Sequence, residues 1–322
     1  MKILIPDDYQ HAVDTLSCLT LLKGHRIDIL GDLAREEQAD SLLAETEALV
    51  LIRERTKIDE AFLKRAPKLR CISQTGKIAG HIDIGACTAA GVAILEGIGS
   101  PIAPAELTWA LIMASRRQLL TAANDLRLGR WQTTIGHCLH GQTLGIWGYG
   151  KIGKLLAHFG QAFGMDVAVW GRDKSRSQAT ADGLRVFTSR EALFEESDVL
   201  SLHLRLVPET TGMIDANDLA RMKPSALLVN TSRAGLLTPG ALESALAAGR
   251  PGFAALDVFG EEPVYDPHHP LLTMTNVLCT PHIGYVEQNS YELYFSKAFE
   301  NILAFESGQP VNVANPGVLK KS

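Results

Sequence analysis

The segment TLGIWGYGKIG, residues 143–153, decides the fold of this chain. Its first five residues favour a β-strand, and a helical pattern follows the segment. Between them lies the spacing GxGxxG, formed by Gly148, Tyr149, Gly150, Lys151, Ile152 and Gly153. The first glycine permits a tight turn, the second lets the backbone approach a pyrophosphate, and the third lets helix and strand pack closely. The segment predicts a dinucleotide-binding turn at a helix N-terminus; a glycine turn with a purely structural role is the alternative.

Apolar, β-rich runs alternate with helix-length stretches over the whole chain. Most of these runs are apolar throughout, which is typical of parallel strands covered on both faces. Because strand and helix alternate so regularly, we predict an α/β protein with doubly wound parallel sheets. The predicted strands form two series, 2–5, 27–30, 48–52, 69–73 and 92–95, then 143–147, 166–170, 199–203, 226–230, 252–258 and 277–279.

The length of the chain and two helical stretches indicate how it is divided. A chain of 322 residues suggests two domains. A single helical stretch is predicted over 103–128, since Pro101 and Pro104 mark its start and Gly129 its end. This stretch separates the two series of strands. An amphipathic helix predicted over 286–306 follows the second series and needs a surface to pack on.

Composition and charge exclude several classes of protein. Hydrophobic residues make up 46% and charged residues 21% of the chain, which excludes wholesale disorder. With 31 basic against 36 acidic residues, a broad surface for nucleic acid is not expected. The most apolar long stretch, 92–114, contains two glutamates and two prolines, so we expect no membrane span.

The cysteines bear on the compartment of the protein. They are odd in number and scattered, without CxxC spacing: Cys18, Cys71, Cys87, Cys138 and Cys279. This pattern predicts buried free thiols in a reducing compartment rather than disulfides or a metal site. The N-terminal segment MKILIPDD reaches two aspartates after a few apolar residues, unlike a signal peptide. We therefore expect a soluble, cytoplasmic protein without a metal.

The residues that follow strand 166–170 bear on the choice between NAD(H) and NADP(H). An acid at the end of this strand usually holds the ribose hydroxyls of NAD. Here that position is Gly171, and Arg172 and Asp173 follow it. Because Gly171 leaves room for a 2′-phosphate and Arg172 can pair with it, we favour NADP(H) over NAD(H). The alternative is that Arg172 is solvated and Asp173 binds the ribose.

Three later strands end at residues suited to acid–base and anion-binding chemistry. Ligands of open α/β sheets bind beyond the carboxyl ends of the strands. An arginine, an acid and a histidine just past three strand ends are therefore expected to converge on one crevice. The segments are NTSRAG (230–235), LDVFGEEP (256–263) and TPHIG (280–284).

With these motifs the chain resembles the D-isomer-specific 2-hydroxyacid dehydrogenase family. The resemblance implies a Rossmann dinucleotide-binding domain, residues 99–287, inserted into a flavodoxin-like substrate domain, residues 1–98 plus 288–322. It implies hydride transfer between NAD(P)H and a small, anionic 2-keto or D-2-hydroxy acid. It rests on six ordered motifs: GYGKIG (148–153), FGQAFGMDVAVWGR (159–172), SDVLSLHLRL (197–206), MKPSALLVNTSRAG (222–235), ALDVFGEEP (255–263) and HPLLTMTNVLCTPHIG (269–284).

By position, the family's catalytic residues match Arg233, Glu262 and His282. An imidazolium is suited to donate a proton to the carbonyl oxygen near neutral pH, and a glutamate in contact with it favours the charged ring. Arg233 offers a fork of donors to the substrate carboxylate and the carbonyl oxygen. A packing histidine and a salt-bridge arginine are the alternatives. Further cofactor contacts are expected from strand ends beyond the glycine turn, at His203, Thr231, Ser232, Asp257 and Gly284.

On the substrate side, the resemblance implies that backbone amides of a glycine-containing loop bind the substrate carboxylate. The matching loop is QTGKIAG, residues 74–80, so Gly76, Lys77 and Ile78 are candidate substrate-binding residues. Lys77 offers a charge for a second carboxylate or a phosphate, and a solvated lysine is the alternative. Arg53 is a further candidate, in a segment that resembles the phosphoglycerate dehydrogenase branch of the family.

The resemblance also implies a homodimer supported by the helical stretch 103–128 and the turn after it. Two other functions stay open at this point. One is a dehydrogenase of another small anion, such as formate or phosphite. The other is a dinucleotide-sensing binding protein, similar to a corepressor. Turnover of 2-keto acids distinguishes the enzyme from the sensor.

Overall fold

The chain folds into two α/β units. The computed structural model describes residues 1–321, and Ser322, which the predicted substrate domain includes, lies outside them. One unit comprises Met1–Ser100 and the chain from Val286 onward, and the other comprises Pro101–Tyr285. The chain therefore leaves the first unit after one series of strands and returns to it after the other.

The first unit is built on a parallel sheet of five strands in the order β2-β1-β3-β4-β5. This is the flavodoxin-like order. The strands are β1 Lys2–Ile5, β2 Arg26–Ile29, β3 Ala48–Leu51, β4 Cys71–Gln74 and β5 Ala93–Leu95. The helices are α1 Ala39–Leu43, α2 Glu60–Arg65, α3 Ile84–Ala89 and α12 Gln288–Glu306, with 3₁₀ helices at Val13–Thr15, Ser17–Leu22 and Pro316–Lys321.

Helix α12 packs on this sheet with its apolar face. The side chain of Glu287 caps the helix by accepting the N–H groups of Asn289 and Ser290, which otherwise lack partners at a helix start. Six apolar or aromatic residues at helical spacing are buried: Tyr291, Tyr294, Phe295, Ala298, Phe299 and Ile302. The hydroxyl of Ser73 in β4 donates to the carbonyl oxygen of Ala298, which fixes the helix against the sheet.

The second unit is built on a parallel sheet of seven strands in the order β12-β11-β10-β9-β6-β7-β8. The strands are β6 Thr143–Trp147, β7 Asp166–Trp170, β8 Arg185–Val186, β9 Val199–Leu202, β10 Leu227–Asn230, β11 Phe253–Leu256 and β12 Val277–Cys279. The helices are α4 Ile102–Arg116, α5 Leu119–Arg127, α6 Lys151–Ala162, α7 Asp173–Ala181, α8 Arg190–Glu196, α9 Ala216–Ala220, α10 Ala241–Ala247 and α11 Pro270–Thr273, with 3₁₀ helices at Pro208–Thr210 and Ala234–Leu236.

Apolar residues cover both faces of this second sheet. In β10, Leu228 belongs to one core cluster, whereas Leu227 and Val229 belong to the other. Successive residues of a strand point to opposite faces, so a strand with a core on each side is apolar throughout. The predicted α/β class with two doubly wound parallel sheets is confirmed. The order of strands reverses between β6 and β9, and ligands of such sheets bind at this point.

The single helical stretch predicted over 103–128 was wrong. Helix α4 ends at Arg116, whose buried guanidinium donates to the carbonyl oxygen of Ser225 and to the side chain of Gln142. Gln118 then adopts a left-handed backbone with a φ of 49° and starts α5. None of the residues of α5 is buried. The break follows from burial, because α4 covers the sheet and α5 leaves it.

The structure also describes the burial of the cysteines and the length and hydropathy of the helices. All five cysteines are free thiols, but Cys138 is exposed and Cys279 is only half-buried, contrary to the prediction that all are buried. Cys138 lies in the extended segment after α5, next to Leu139, whose side chain is buried in the core. Within residues 1–321, no helix combines the length and the hydropathy that a membrane crossing requires.

Candidate active site

The glycine turn after β6 is packed closely on its neighbours. Gly148 has a φ of 105°, and a β-carbon on it would lie 2.5 Å from the carbonyl oxygen of His203. A β-carbon on Gly153 would lie 2.3 Å from the carbonyl oxygen of Gly148. Both distances are shorter than any side chain tolerates, so the backbone path requires glycine at both positions.

The N-terminus of α6 faces open space. Gly150 precedes the helix, and a β-carbon on it would meet no atom within 4 Å. Among the described residues no side chain caps this end. The N–H groups of the first turn, which includes exposed Lys151 and half-buried Ile152, therefore suit a pyrophosphate. Tyr149 points elsewhere: its hydroxyl donates to Asp182, and burial together with this carboxylate raises the pKa of Tyr149 to about 12.

Arg172 and Asp173, the two candidates for recognition of the ribose or its 2′-phosphate, differ in their contacts after the end of β7. The carboxylate of Asp173 pairs with Arg176, and the guanidinium of Arg176 lies 4.8 Å from the centre of the Trp170 ring. Arg172 is exposed at the start of α7, next to half-buried Gly171. The acid thus already has a partner one turn along its own helix.

His203 follows β9 and borders the glycine turn. Its N–H donates to the carbonyl oxygen of Trp147 at 2.8 Å, and its Nε2 lies 2.9 Å from Oγ of Ser201. Burial lowers the pKa of His203 to about 4. The ring is therefore neutral near pH 7, and its main chain supports the turn.

Arg233 lies in the turn after β10. The carboxamide of Asn230 holds this turn: Oδ1 accepts the N–H and the hydroxyl of Ser232, and Nδ2 donates to the carbonyl oxygen of Arg233. Oγ1 of Thr231 lies 2.7 Å from Oγ1 of Thr108 in α4. The half-buried guanidinium of Arg233 donates to the carbonyl oxygen of Ser232 at 2.6 Å.

Asp257 lies fully buried after β11 and anchors the turn that follows β12. Its Oδ1 accepts the hydroxyl of Thr280 at 2.6 Å and the N–H of Ile283 at 2.9 Å. Its Oδ2 accepts the N–H of Gly284 at 2.8 Å. Burial raises the pKa of Asp257, and these donors oppose that shift. The carboxylate therefore holds both ends of the turn 280–284.

His282 stands at the centre of this turn with a strained backbone, at a φ of 51°. Its Nδ1 lies 2.6 Å from Oε2 of Glu262, and Oε1 of Glu262 accepts the N–H of Phe259 at 2.8 Å. Within residues 1–321, the carboxylate hydrogen-bonded to Nδ1 of His282 is that of Glu262 and not that of its neighbour Glu261. Of the two adjacent glutamates, the one before Pro263 is thus the partner of the histidine. Strain at a non-glycine residue is typical of functional sites.

In the first unit, Arg53 covers the loop 74–80. Its backbone has a φ of 54°, its N–H donates to Oγ1 of Thr75 and its carbonyl oxygen accepts from Gln74. A β-carbon on Gly76 would lie 1.7 Å from Nη1 of Arg53. A side chain at this position would have to displace the guanidinium of Arg53, which occupies that space.

Lys77 and Ile78 of the same loop contact one carboxylate. Nζ of Lys77 lies 2.8 Å from Oε2 of Glu96, and the N–H of Ile78 donates to Oε1 of Glu96 at 3.1 Å. The ammonium of Lys77, which the sequence analysis offered to a second anionic group of the substrate, is thus paired with Glu96.

Among the described residues, no group of three histidine, cysteine or acidic side chains forms a candidate metal site.

Three residues of these clusters escaped the sequence analysis. Asn230 and Thr280 shape the turns of Arg233 and His282, and Glu96 fills the loop of Lys77. For Asn230 a signal exists, since an amide that ends a buried strand needs partners. Glu96 contacts residues 18 and 19 positions earlier, and only the pairing of strands brings them together.

Comparisons with known proteins identify the family of this chain. Residues 109–284 match the family described as "D-isomer specific 2-hydroxyacid dehydrogenase, NAD binding domain". A glyoxylate reductase from Aeropyrum pernix is 38% identical over 275 residues, which cover 82% of each chain. The solved structure of an oxidoreductase from Ralstonia solanacearum is 51% identical with a TM-score of 0.95, covering 99% of this chain and 98% of that one. A phosphoglycerate oxidoreductase from Vibrio cholerae is 48% identical with a TM-score of 0.92, covering 96% and 99%.

The fold together with the family match defines an oxidoreductase that uses a nicotinamide dinucleotide. The extent of these matches shows that the chain belongs to the D-isomer-specific 2-hydroxyacid dehydrogenase family. The resemblance in its motifs is confirmed, and the protein is a dinucleotide-dependent 2-hydroxyacid dehydrogenase.

Proposed function

We propose that the enzyme reduces a small, anionic 2-keto acid to the D-2-hydroxy acid and catalyses the reverse oxidation. The hydrogen bond between His282 and Glu262 carries this proposal, because it pairs an acid–base group with a carboxylate in a chain of this family. Hydride transfer to a carbonyl carbon leaves a charged oxygen, which needs a proton donor within reach.

In this mechanism His282 moves the proton. A nicotinamide dinucleotide held by the glycine turn would supply the hydride in reduction and accept it in oxidation. With Nδ1–H donated to Glu262, Nε2 is the ring nitrogen that protonates the carbonyl oxygen in reduction and takes the hydroxyl proton in oxidation. The carboxylate of Glu262 stabilises the charged ring and keeps its orientation. The main-chain contact of Glu262 to Phe259 fixes the carboxylate itself.

Substrate binding is assigned to Arg233, and for the first unit to Arg53 and the loop 76–78. The fork of Arg233 donates to the substrate carboxylate and to the carbonyl oxygen. The backbone of loop 76–78 and the guanidinium of Arg53 provide further contacts in the first unit. The left-handed backbone of Arg53, held by Thr75 and Gln74, supports a functional role, since such strain persists where the surroundings impose it.

Cofactor binding is assigned to the glycine turn 148–153 and the strand ends around it. The open N-terminus of α6 supports a pyrophosphate site. We favour NADP(H), because Asp173 is paired with Arg176 while Arg172 is exposed beside Gly171. Of the remaining predicted contacts, His203, Thr231, Ser232 and Asp257 directly follow β9, β10 and β11, and Gly284 lies in the turn after β12.

The substrate proposal is tested by oxidation of NADPH and NADH with glyoxylate, hydroxypyruvate, pyruvate and longer 2-keto acids. The similarity to a glyoxylate reductase supports glyoxylate as the best substrate. Turnover with one of these acids is the expected result. Cofactor binding without turnover of any of them would refute the proposal and favour a dinucleotide sensor.

We further propose that two copies of the chain pair through the arm 119–135. Helix α5 buries none of its residues, and the segment after it exposes Trp131 at 75% and Ile135 at 91%. Apolar surface of this extent on one arm is typical of an interaction site, and a second copy presents the same surface in return.

We also propose a cytoplasmic location. The five free thiols support it, because thiols stay reduced in that compartment.

A further inference from the structure

Three neighbouring strands of the first unit lead into charged side chains. Arg53 follows β3, Lys77 follows β4 and Glu96 follows β5 directly, and these strands are adjacent in the sheet. All three residues therefore lie at the carboxyl edge, where parallel α/β sheets bind ligands. The cations Arg53 and Lys77 make this edge suited to binding an anion, and Glu96 places a negative charge beside them.

The carboxylate of Glu96 makes the contacts that a carboxylate ligand would make. Its Oε2 lies 2.8 Å from the ammonium of Lys77, and its Oε1 accepts the N–H of Ile78 at 3.1 Å. A charged donor and a backbone N–H on the two oxygens are the usual partners of a bound carboxylate. We call residues 76–78 the anion turn.

The main chain of Glu96 is held in place on three sides. Its N–H donates to the carbonyl oxygen of Asn312 at 2.9 Å, and its carbonyl oxygen accepts from the side chain of Asn301 at 3.0 Å. The N–H of Gly97 donates to the carbonyl oxygen of Gly76 at 2.9 Å, and a β-carbon on Gly97 would lie 2.9 Å from the nitrogen of Gly76. This close docking places the carboxylate beside the anion turn.

We propose that Glu96 is a specificity-determining residue, whose carboxylate occupies the anion turn and competes there with the carboxylate of the substrate. The inference rests on the proposed function, in which this turn binds the substrate carboxylate. A bound acid must displace Glu96 or share its donors, so Glu96 weakens the binding of anions. Glu96 weakens most the binding of a substrate with a second anionic group near Lys77, because Glu96 already neutralises the ammonium of Lys77.

The variant Glu96→Gln tests this competition. The amide has the shape of the carboxylate and keeps an acceptor for the N–H of Ile78, but it removes the charge. The KM for glyoxylate and the inhibition constant of oxalate should each fall about threefold or more, with kcat unchanged. Glu45→Gln is the matched control, because Glu45 pairs with Lys2 at 3.1 Å in the same unit, beside the amino end of β1. The control should leave both constants unchanged.

Unchanged or increased constants in Glu96→Gln would overturn the proposal and leave Glu96 as a structural contact of the loop. A second measurement uses the unaltered enzyme, should the variant not fold. Titration of the holoenzyme with oxalate should shift the amide resonance of Ile78, and an unmoved resonance would refute the competition. Failure of the proposed function differs from both results, since it shows as no turnover of any 2-keto acid by the unaltered enzyme.

Discussion

Nδ1 of His282 lies 2.6 Å from Oε2 of Glu262, and the second oxygen of the same carboxylate accepts a main-chain N–H. The glutamate is therefore fixed at one oxygen and directs the imidazole with the other. Such an arrangement determines which ring nitrogen exchanges protons, because the nitrogen that faces the carboxylate keeps its hydrogen.

His282→Ala should reduce kcat by about 10²–10⁴, the usual contribution of a positioned acid–base group. Binding of the cofactor should persist, since the hydrogen bond of this side chain joins it to Glu262, outside the glycine turn. Absorbance of NAD(P)H gives kcat, and fluorescence titration gives the cofactor affinity. Glu261→Gln serves as the control beside Glu262→Gln: only the latter should lose turnover. Retained turnover with lost cofactor binding in His282→Ala would refute the assignment.

Asp257→Asn should destabilise the turn 280–284. The amide nitrogen would oppose the N–H of Ile283 or Gly284, and a buried donor without an acceptor costs about 1–3 kcal/mol. Both the free energy of unfolding, measured in urea, and kcat should fall, because His282 loses its position. Thr280→Val removes one donor to the same carboxylate and should have the smaller effect. Full activity in Asp257→Asn would argue against this positioning role.

Arg172→Ala should weaken the binding of NADP(H) and leave the binding of NAD(H) unaffected. Loss of a charge-assisted hydrogen bond to a 2′-phosphate corresponds to roughly tenfold or more in the KM ratio of the two cofactors. Lys174→Ala removes an exposed charge from the same helix and is the control. An unchanged preference for NADP(H) in Arg172→Ala would exclude the arginine from cofactor recognition.

Ile135→Asp should convert the proposed homodimer into monomers. The side chain is 91% exposed, so the substitution costs nothing in an isolated chain but buries a charge in a paired one. Sedimentation velocity measures the change. Leu272→Asp alters an apolar side chain that is 41% exposed on α11 and should leave the assembly intact. A monomeric unaltered protein would refute the proposed pairing.

His203 should make the stability of the protein depend on pH. Its pKa is lowered from 6.5 to about 4 by burial, so between these values the unfolded chain binds a proton that the folded chain does not. The free energy of unfolding therefore falls as pH drops from 6.5 towards 4. Urea titrations across this range should show a shallower fall in His203→Asn. Parallel curves for the two proteins would contradict the lowered pKa.

Much of the fold was readable from local sequence. Strands that are apolar throughout, such as β10, predict a parallel sheet with two covered faces, and GYGKIG predicts the tight turn that Gly148 and Gly153 make. The neighbours that dictate these features lie within a few residues along the chain. The resemblance selected Glu262 over Glu261 on the same kind of local evidence, the proline after it.

Only the tertiary structure decided the contacts between strand ends. It broke the helical stretch at Gln118, because α4 has a sheet to cover and α5 does not. It paired Lys77 with Glu96 and laid Arg53 over Gly76, although each residue alone is an ordinary charged or small side chain. Local conformation depends on neighbours in sequence, whereas the partner of a charge depends on which strands the sheet sets side by side.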